Sequence, residues 1–94
     1  MADLVASGDR IRLKIMFVVY VIRSKNKKFR YVGMTNDLSR RLAQHNEGKN
    51  PSTKRHAPFK LVYQEKVADR QTARAREIFL KSGVGRKFLD SLGL

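Results

Sequence analysis

Five side chains in this sequence could carry proton or charge chemistry from inward-facing positions: Tyr20, Tyr31, Arg41, His45 and Glu77. Tyr20 lies in the apolar run Met16-Phe17-Val18-Val19-Tyr20-Val21-Ile22, which is rich in β-branched and aromatic residues and reads as a strand buried on both faces. Tyr31 lies in Phe29-Arg30-Tyr31-Val32-Gly33, and Lys25-Asn26-Lys27-Lys28 between the two runs is a polar turn. Pairing across that turn sets Val32 against Val21, Tyr31 against Ile22 and Gly33 against Tyr20. Both tyrosines then share one sheet face as diagonal neighbours, roughly 7–8 Å apart at the backbone. A slip of one residue would send them to opposite faces. A strand phenol either packs with its hydroxyl in water or, where cations favour the phenolate, handles a proton.

The other three residues lie on helical patterns. Leu38, Leu42 and His45 recur at i, i+4 and i+7 between Met34 and Gly48 and define an inward face, which Arg41 borders while Arg40 points to solvent. Thr35 or Asn36 suits the N-cap, Asp37 the positive end of the helix, and Gly48 the C′ position. His45 on such a face is a structural histidine or a proton carrier. A second helix runs from about Arg70 to Ser82, with Asp69 as N-cap and Gly83 closing it. Its inward stripe is Ala73, Glu77 and Leu80. A carboxylate there either pairs with a cation, Arg41 or Arg74, or binds a metal, because burying it alone is costly.

The elements that must position these groups follow from the rest of the chain. Phe59 to Val67 reads as a third strand, with Phe59, Leu61 and Tyr63 on one face. Gly85 to Leu92 reads as a short helix using Phe88, Leu89 and Leu92 against the core, with Gly83-Val84-Gly85 as a break before it. The order is β-β-α-β-α-α, an α+β domain with a small, mainly antiparallel three-stranded sheet flanked by helices. Residues 16–94 form the expected domain; residues 1–15, with weak alternation at Ile11, Leu13 and Ile15, are an extension or a short extra strand.

Charge narrows the partner. The chain has 21 Lys and Arg against 8 Asp and Glu, a net charge of +13. Residues 16–64 hold 11 basic and 2 acidic side chains, so +9 of that excess falls on the hairpin, the following helix and the loop after it. Such a field attracts polyanions, nucleic acid first among them. Lys49, Lys54, Arg55 and His56, in the basic loop Lys49–Pro58, are candidate phosphate-backbone contacts, a solvated loop being the alternative. With no cysteine and two histidines, no disulfide and no common structural zinc site is available. No apolar run has the length of a membrane span, and a cytoplasmic protein with no membrane partner and no small-molecule cofactor is expected.

Taken together, Val18-Val19-Tyr20, Tyr31-Val32-Gly33, Thr35-x-Asp37-Leu38-x-x-Arg41-Leu42-x-x-His45, Ser52-Thr53-Lys54, Pro58-Phe59-x-Leu61-Val62-Tyr63 and Arg76-Glu77 before Leu80-Lys81-Ser82-Gly83 resemble the GIY-YIG nuclease superfamily. The resemblance spans about residues 16–89 and is nearest to small stand-alone bacterial members, similar to the N-terminal nuclease domain of the bacterial excision-repair endonuclease. The first motif reads Val-Val-Tyr in place of Gly-Ile-Tyr, Met34 stands where a basic residue is frequent, and no asparagine follows Asn50. The resemblance implies hydrolysis of a DNA phosphodiester, in repair or processing, with one Mg²⁺ or Mn²⁺ bound weakly until DNA arrives. Tyr20 would be the base or orienter of the attacking water, Tyr31 the second-motif tyrosine, Arg41 the phosphate-steadying arginine, His45 a neighbour of the scissile phosphate and Glu77 the metal ligand. The expected substrate is DNA, branched or damaged forms included, with RNA as an alternative. A binding module of the same fold with little or no cleavage is the rival reading. For the nuclease, Tyr20, Tyr31, Arg41 and Glu77 should converge on one basic concavity.

Overall fold

The structure, a computed structural model, describes residues 17–94; the possible extra strand within residues 1–15, and Met16 as the first strand residue, lie outside the described residues. Strand β1 (Phe17–Ser24) is the middle of a three-stranded antiparallel sheet, with β2 (Arg30–Thr35) on one side and β3 (Phe59–Val67) on the other. Its side chains are buried almost without interruption, as the apolar run requires of a central strand covered on both faces. The hairpin register is the expected one: Tyr20 opposes Gly33, Val21 opposes Val32 and Ile22 opposes Tyr31. Strand β2 continues beyond Gly33 to Thr35.

Alternation along β1 divides the core into two clusters. Val19 and Val21, with Val32, meet Ala73 and Leu80 of helix α2 (Arg70–Lys81) and Leu89 of helix α3 (Gly83–Ser91). Val18, Tyr20 and Ile22, with Phe59, meet Leu38 and Leu42 of helix α1 (Leu38–Asn46) on the opposite face. A bulge redirects β3: Val21 pairs with Tyr63 but Ile22 pairs with Leu61, leaving Val62 unmatched. Phe59 and Leu61 therefore face α1, whereas Tyr63 turns to the α2–α3 side. The expectation that Tyr63 shares their face fails because one extra residue reverses the alternation.

Helix ends depart from sequence expectation in instructive ways. Asp37, rather than Thr35 or Asn36, caps α1, its carboxylate accepting from the Arg40 amide at 3.2 Å. Thr35 instead receives the Asp37 amide on its hydroxyl at 3.0 Å, an ST-turn that leads the chain into the helix. Gly48, at φ 75°, takes the left-handed position after α1. Asp69 caps α2 as expected, its carboxyl held below the usual range by the Thr72 amide. Gly83 does not terminate α2 but opens α3. Ser82 serves both helices: its hydroxyl donates to the Phe79 carbonyl at 2.6 Å and accepts from the Gly85 amide at 3.1 Å. Gly85 belongs to the first turn of α3, and a Cβ there would lie 2.0 Å from the Phe79 carbonyl oxygen, so only glycine allows the two helices this approach. Leu92 falls past the end of α3 and is exposed; Leu94 packs against the core in its place. No helix among the described residues is long and apolar enough to cross a membrane.

Candidate functional site

Tyr20 projects from β1 across the backbone of Gly33 on the neighbouring strand. A Cβ at Gly33 would meet the Tyr20 hydroxyl at 2.5 Å and ring carbon Cζ at 2.7 Å, so the glycine is the space through which the phenol reaches outward. The ring is 1 % exposed. Its hydroxyl lies 2.8 Å from Nε2 of His45 on α1, and Nδ1 of His45 lies 2.8 Å from the Thr53 hydroxyl. His45 and Thr53 are both fully buried. The Thr53 hydroxyl has the Asn50 carbonyl as an acceptor at 3.4 Å. With Thr53 donating to Asn50, Nδ1 of His45 carries the ring proton and Nε2 accepts from the phenol, which assigns the tautomer from the network.

Both titratable members of this chain are held neutral. Burial pushes the Tyr20 phenol up to about 12, against the lowering effect of the Arg41 guanidinium beside its hydroxyl. Burial and the positive charge of Arg41 push His45 down to about 4. Tyr31 flanks the pair, its ring centroid 6.4 Å from that of Tyr20 and 5.1 Å from that of His45. Asn46 locks the helix to β3, accepting from the Phe59 amide at 2.7 Å.

Beside β2 lies a concavity of about 580 Å³ that carries Arg41, Arg70, Arg74 and Glu77 along with Met34. Three guanidinium groups against one carboxylate leave a net charge of +2 (three minus one) on its wall, which favours an anion such as phosphate. Arg41 is steadied by Gln44, to whose Oε1 it donates at 3.0 Å. Tyr20 lies buried below this wall, its hydroxyl within the electrostatic reach of Arg41 and Glu77. Tyr31 opens instead onto a neighbouring depression with Leu80, Lys81 and Arg86. The four residues expected on one concavity are thus divided between a shared wall, a buried position and an adjoining hollow.

Glu77 is 7 % exposed and takes a cation on each oxygen, Arg74 at 2.7 Å on Oε1 and Lys81 at 3.2 Å on Oε2. Arg74 is one of the two partners foreseen for it; Arg41 is not bonded to it. Lys81 also sits 5.9 Å above the ring centroid of Tyr31, so it connects the carboxylate to the second tyrosine. No group of three His, Cys, Asp or Glu able to enclose a metal occurs among the described residues. A lone carboxylate in a basic hollow fits a hard divalent ion only if water and substrate phosphate oxygens complete its shell.

The basic loop separates into distinct parts. Lys54, Arg55 and His56 form a 3₁₀ turn with Lys54 and Arg55 exposed. Lys49 is exposed and pairs with Glu47 at 3.3 Å. His56 stacks flat on Phe29, ring centroids 3.7 Å apart and planes 6° from parallel, so packing already occupies one face of its ring. Thr53 and Lys81 were not among the residues singled out from the sequence for the site. Lys81 has a signal, four residues after Glu77 on one helix; that of Thr53 is its place in Ser52-Thr53-Lys54, one of the stretches that carry the resemblance.

Comparison with known proteins agrees with this architecture. A UPF0213 protein of Streptococcus pneumoniae is 38% identical over 64 residues, 67% of this chain, and the chain spans 64% of that relative's length. A UPF0213 protein of Clostridium perfringens is 36% identical over 67 residues, covering 70% of this chain and 71% of that protein. The solution NMR structure of a UPF0213 protein from Bacillus halodurans superposes with a TM-score of 0.51 at 30% identity, covering 83% of this chain and 85% of that one. Residues 16–88 match the family model described as the GIY-YIG catalytic domain, and the chain belongs to that nuclease family.

Proposed function

We propose that this chain is a divalent-metal-dependent endonuclease that hydrolyses DNA phosphodiester bonds, with Tyr20, His45, Arg41 and Glu77 as its working residues. The observation that carries the reading is the buried chain from the Tyr20 phenol through His45 to Thr53, with Arg41 and Glu77 beside it. Arg41, held by Gln44 on the wall of the basic concavity, binds the phosphoryl oxygens in this reading and offsets charge as it develops. Tyr20 orients the attacking water and, when the phenolate is favoured, accepts its proton; His45 Nε2 is the acceptor for the proton that the phenol gives up.

In the free protein that relay is idle. With burial raising the Tyr20 phenol and lowering the His45 imidazole, the proton rests on the phenol. A divalent ion held by Glu77 would supply Lewis-acid charge to favour anionic oxygen in the site. Glu77 would hold it in place of Arg74 and Lys81, which occupy its two oxygens in the free protein. Tyr31 and Lys81 wall the adjoining hollow. So small a surface suits recognition of DNA structure over readout of a long sequence, and branched or damaged DNA is the substrate class we favour.

The test is incubation with supercoiled plasmid, branched DNA and RNA in Mg²⁺, Mn²⁺ or EDTA, beside the Tyr20→Phe and Glu77→Gln variants. Metal-dependent DNA cleavage lost in both variants supports the assignment. Tight, salt-sensitive binding with no cleavage under any metal favours the rival binding module, a reading encouraged by the complete ion pairing of Glu77. Cleavage that survives Glu77→Gln removes the metal ligand from the scheme.

A further inference from the structure

The tip of the β1–β2 hairpin carries a second basic concavity, of about 620 Å³, lined by Arg23, Lys25, Lys27, Lys28 and Lys60 with no carboxylate on its wall. Its charges are concentrated against the interest of the fold. Arg23 on the central strand has Arg30 opposite it on β2 and Lys60 opposite it on β3, and like charges in cross-strand register are destabilising. Arg30 is relieved by Asp90 at 3.0 Å, whereas Arg23, Lys25, Lys28 and Lys60 have no carboxylate partner among the described residues.

The backbone beneath those charges is tied down. Buried Ser24 accepts the amides of Asn26 at 3.2 Å and Lys27 at 3.0 Å on its hydroxyl. The Lys25 amide donates to the Pro58 carbonyl at 2.9 Å and the Lys27 ammonium donates to the Arg55 carbonyl at 2.8 Å, fastening the tip to the basic loop. A rigid turn that crowds cations with no carboxylate partner among the described residues is a preorganised receptor for a polyanion, whose binding removes the repulsion.

The position defines which polyanion. Phe17 lines the concavity of Arg41 and Glu77, and Ser24 lines this one. The seven-residue step between them along an extended strand is about 23 Å. At a duplex rise of about 3.4 Å per base pair, that is roughly 7 base pairs. We propose that the hairpin tip is a second phosphate-backbone site, which grips the duplex arm of a DNA about 7 base pairs from the phosphate held at Arg41. The inference rests on the nucleic-acid part of the function proposed above and is independent of cleavage.

The experiment compares the parent with a Lys25→Gln, Lys28→Gln, Lys60→Gln triple variant, which leaves Lys27 and its loop contact intact. Binding of 6- and 20-base-pair duplexes is measured against salt concentration in EDTA, and binding to phosphatidylserine vesicles in parallel. The expected result is that the triple variant loses about 2 to 3 from the slope of log affinity against log salt on the long duplex, near 0.9 per phosphate contact removed. On the short duplex, whose axial length of about 20 Å falls short of the step between the sites, the slopes should agree within about 1. Equal slopes on the long duplex, no binding by the parent, or a loss confined to vesicles would overturn the proposal. Plasmid cleavage by the same triple variant and by Tyr20→Phe separates the two readings. A tip-dependent slope without cleavage in the parent sustains this site and sinks the nuclease; cleavage with unchanged slopes does the reverse.

Discussion

The hydroxyl of Tyr20 and Nε2 of His45 meet at 2.8 Å between two buried residues, and each group is pushed away from ionisation. This pairing makes stability depend on pH in a definite direction. Burial and Arg41 push His45 down to about 4 in the folded chain, below the 6.5 of a free imidazole, so between those values only the unfolded chain binds the proton. The stabilisation is complete above pH 6.5 and is lost as pH falls through 4, amounting to roughly 3 kcal/mol. Glu65, held low by Arg76, adds its own loss at acid pH, so the parent must be compared with His45→Gln. Urea unfolding at pH 4 and pH 7.5 should show a steeper fall in the parent. A proton-detected titration of His45 with a midpoint near 6.5 would refute the buried neutral imidazole.

The hairpin, its register and the inward stripe of α2 are legible in the sequence because each rests on local periodicity: β-branched runs around a polar turn, and Ala73, Glu77 and Leu80 at helical spacing. The bulge at Val62 is not legible. Its extra residue has no marker in the pattern of Phe59–Val67 and shows only in the pairing, Val21 with Tyr63 but Ile22 with Leu61. The same limit explains the site. Tyr20, His45 and Glu77 stand out because polar groups in apolar stripes are conspicuous, whereas Thr53 joins them only through the path of a loop. Arg76 shows the converse. It donates to both oxygens of Glu65, at 2.7 and 2.8 Å, and Tyr63 donates to the same carboxylate at 2.6 Å, a conspicuous charged cluster on the β3 side that braces the fold.

Gly33→Ala tests the passage of the phenol across β2. The new methyl would fall 2.5 Å from the Tyr20 hydroxyl, and the neighbour cannot yield because its ring is enclosed. Overpacking of this kind costs about 1–3 kcal/mol. In a Tyr20→Ala background the same substitution should cost less than about 0.5 kcal/mol, and the difference is the coupling between the two positions. Thermal or urea unfolding of the four proteins measures it. Equal costs in both backgrounds would show that the ring does not depend on the glycine.

Lys81 competes with any cation for Glu77. Replacing it by methionine removes one of the two charges bonded to the carboxylate while Arg74 remains. Divalent-ion demand should then fall: the metal concentration giving half-maximal cleavage is expected to drop roughly three- to tenfold, the scale of one partly screened charge pair. Mn²⁺ binding followed by electron paramagnetic resonance, without DNA, should shift in the same direction. An unchanged or increased metal demand would place the ion elsewhere.

Thr53→Val tests whether the tautomer of His45 matters. Valine keeps the volume but leaves the imidazole Nδ1 without its partner at 2.8 Å in a fully buried position. Losing a buried partner costs about 1–3 kcal/mol of stability. A purely structural role would end there. If the Nδ1 proton fixes Nε2 as the acceptor for Tyr20, cleavage should also fall about tenfold or more in kcat, with KM little changed because Thr53 is fully buried. Thr53→Ser, which restores the hydroxyl without the methyl, should recover kcat even where it does not recover full stability. Recovery of stability without recovery of kcat would assign Thr53 to packing alone and leave His45 without a proton relay.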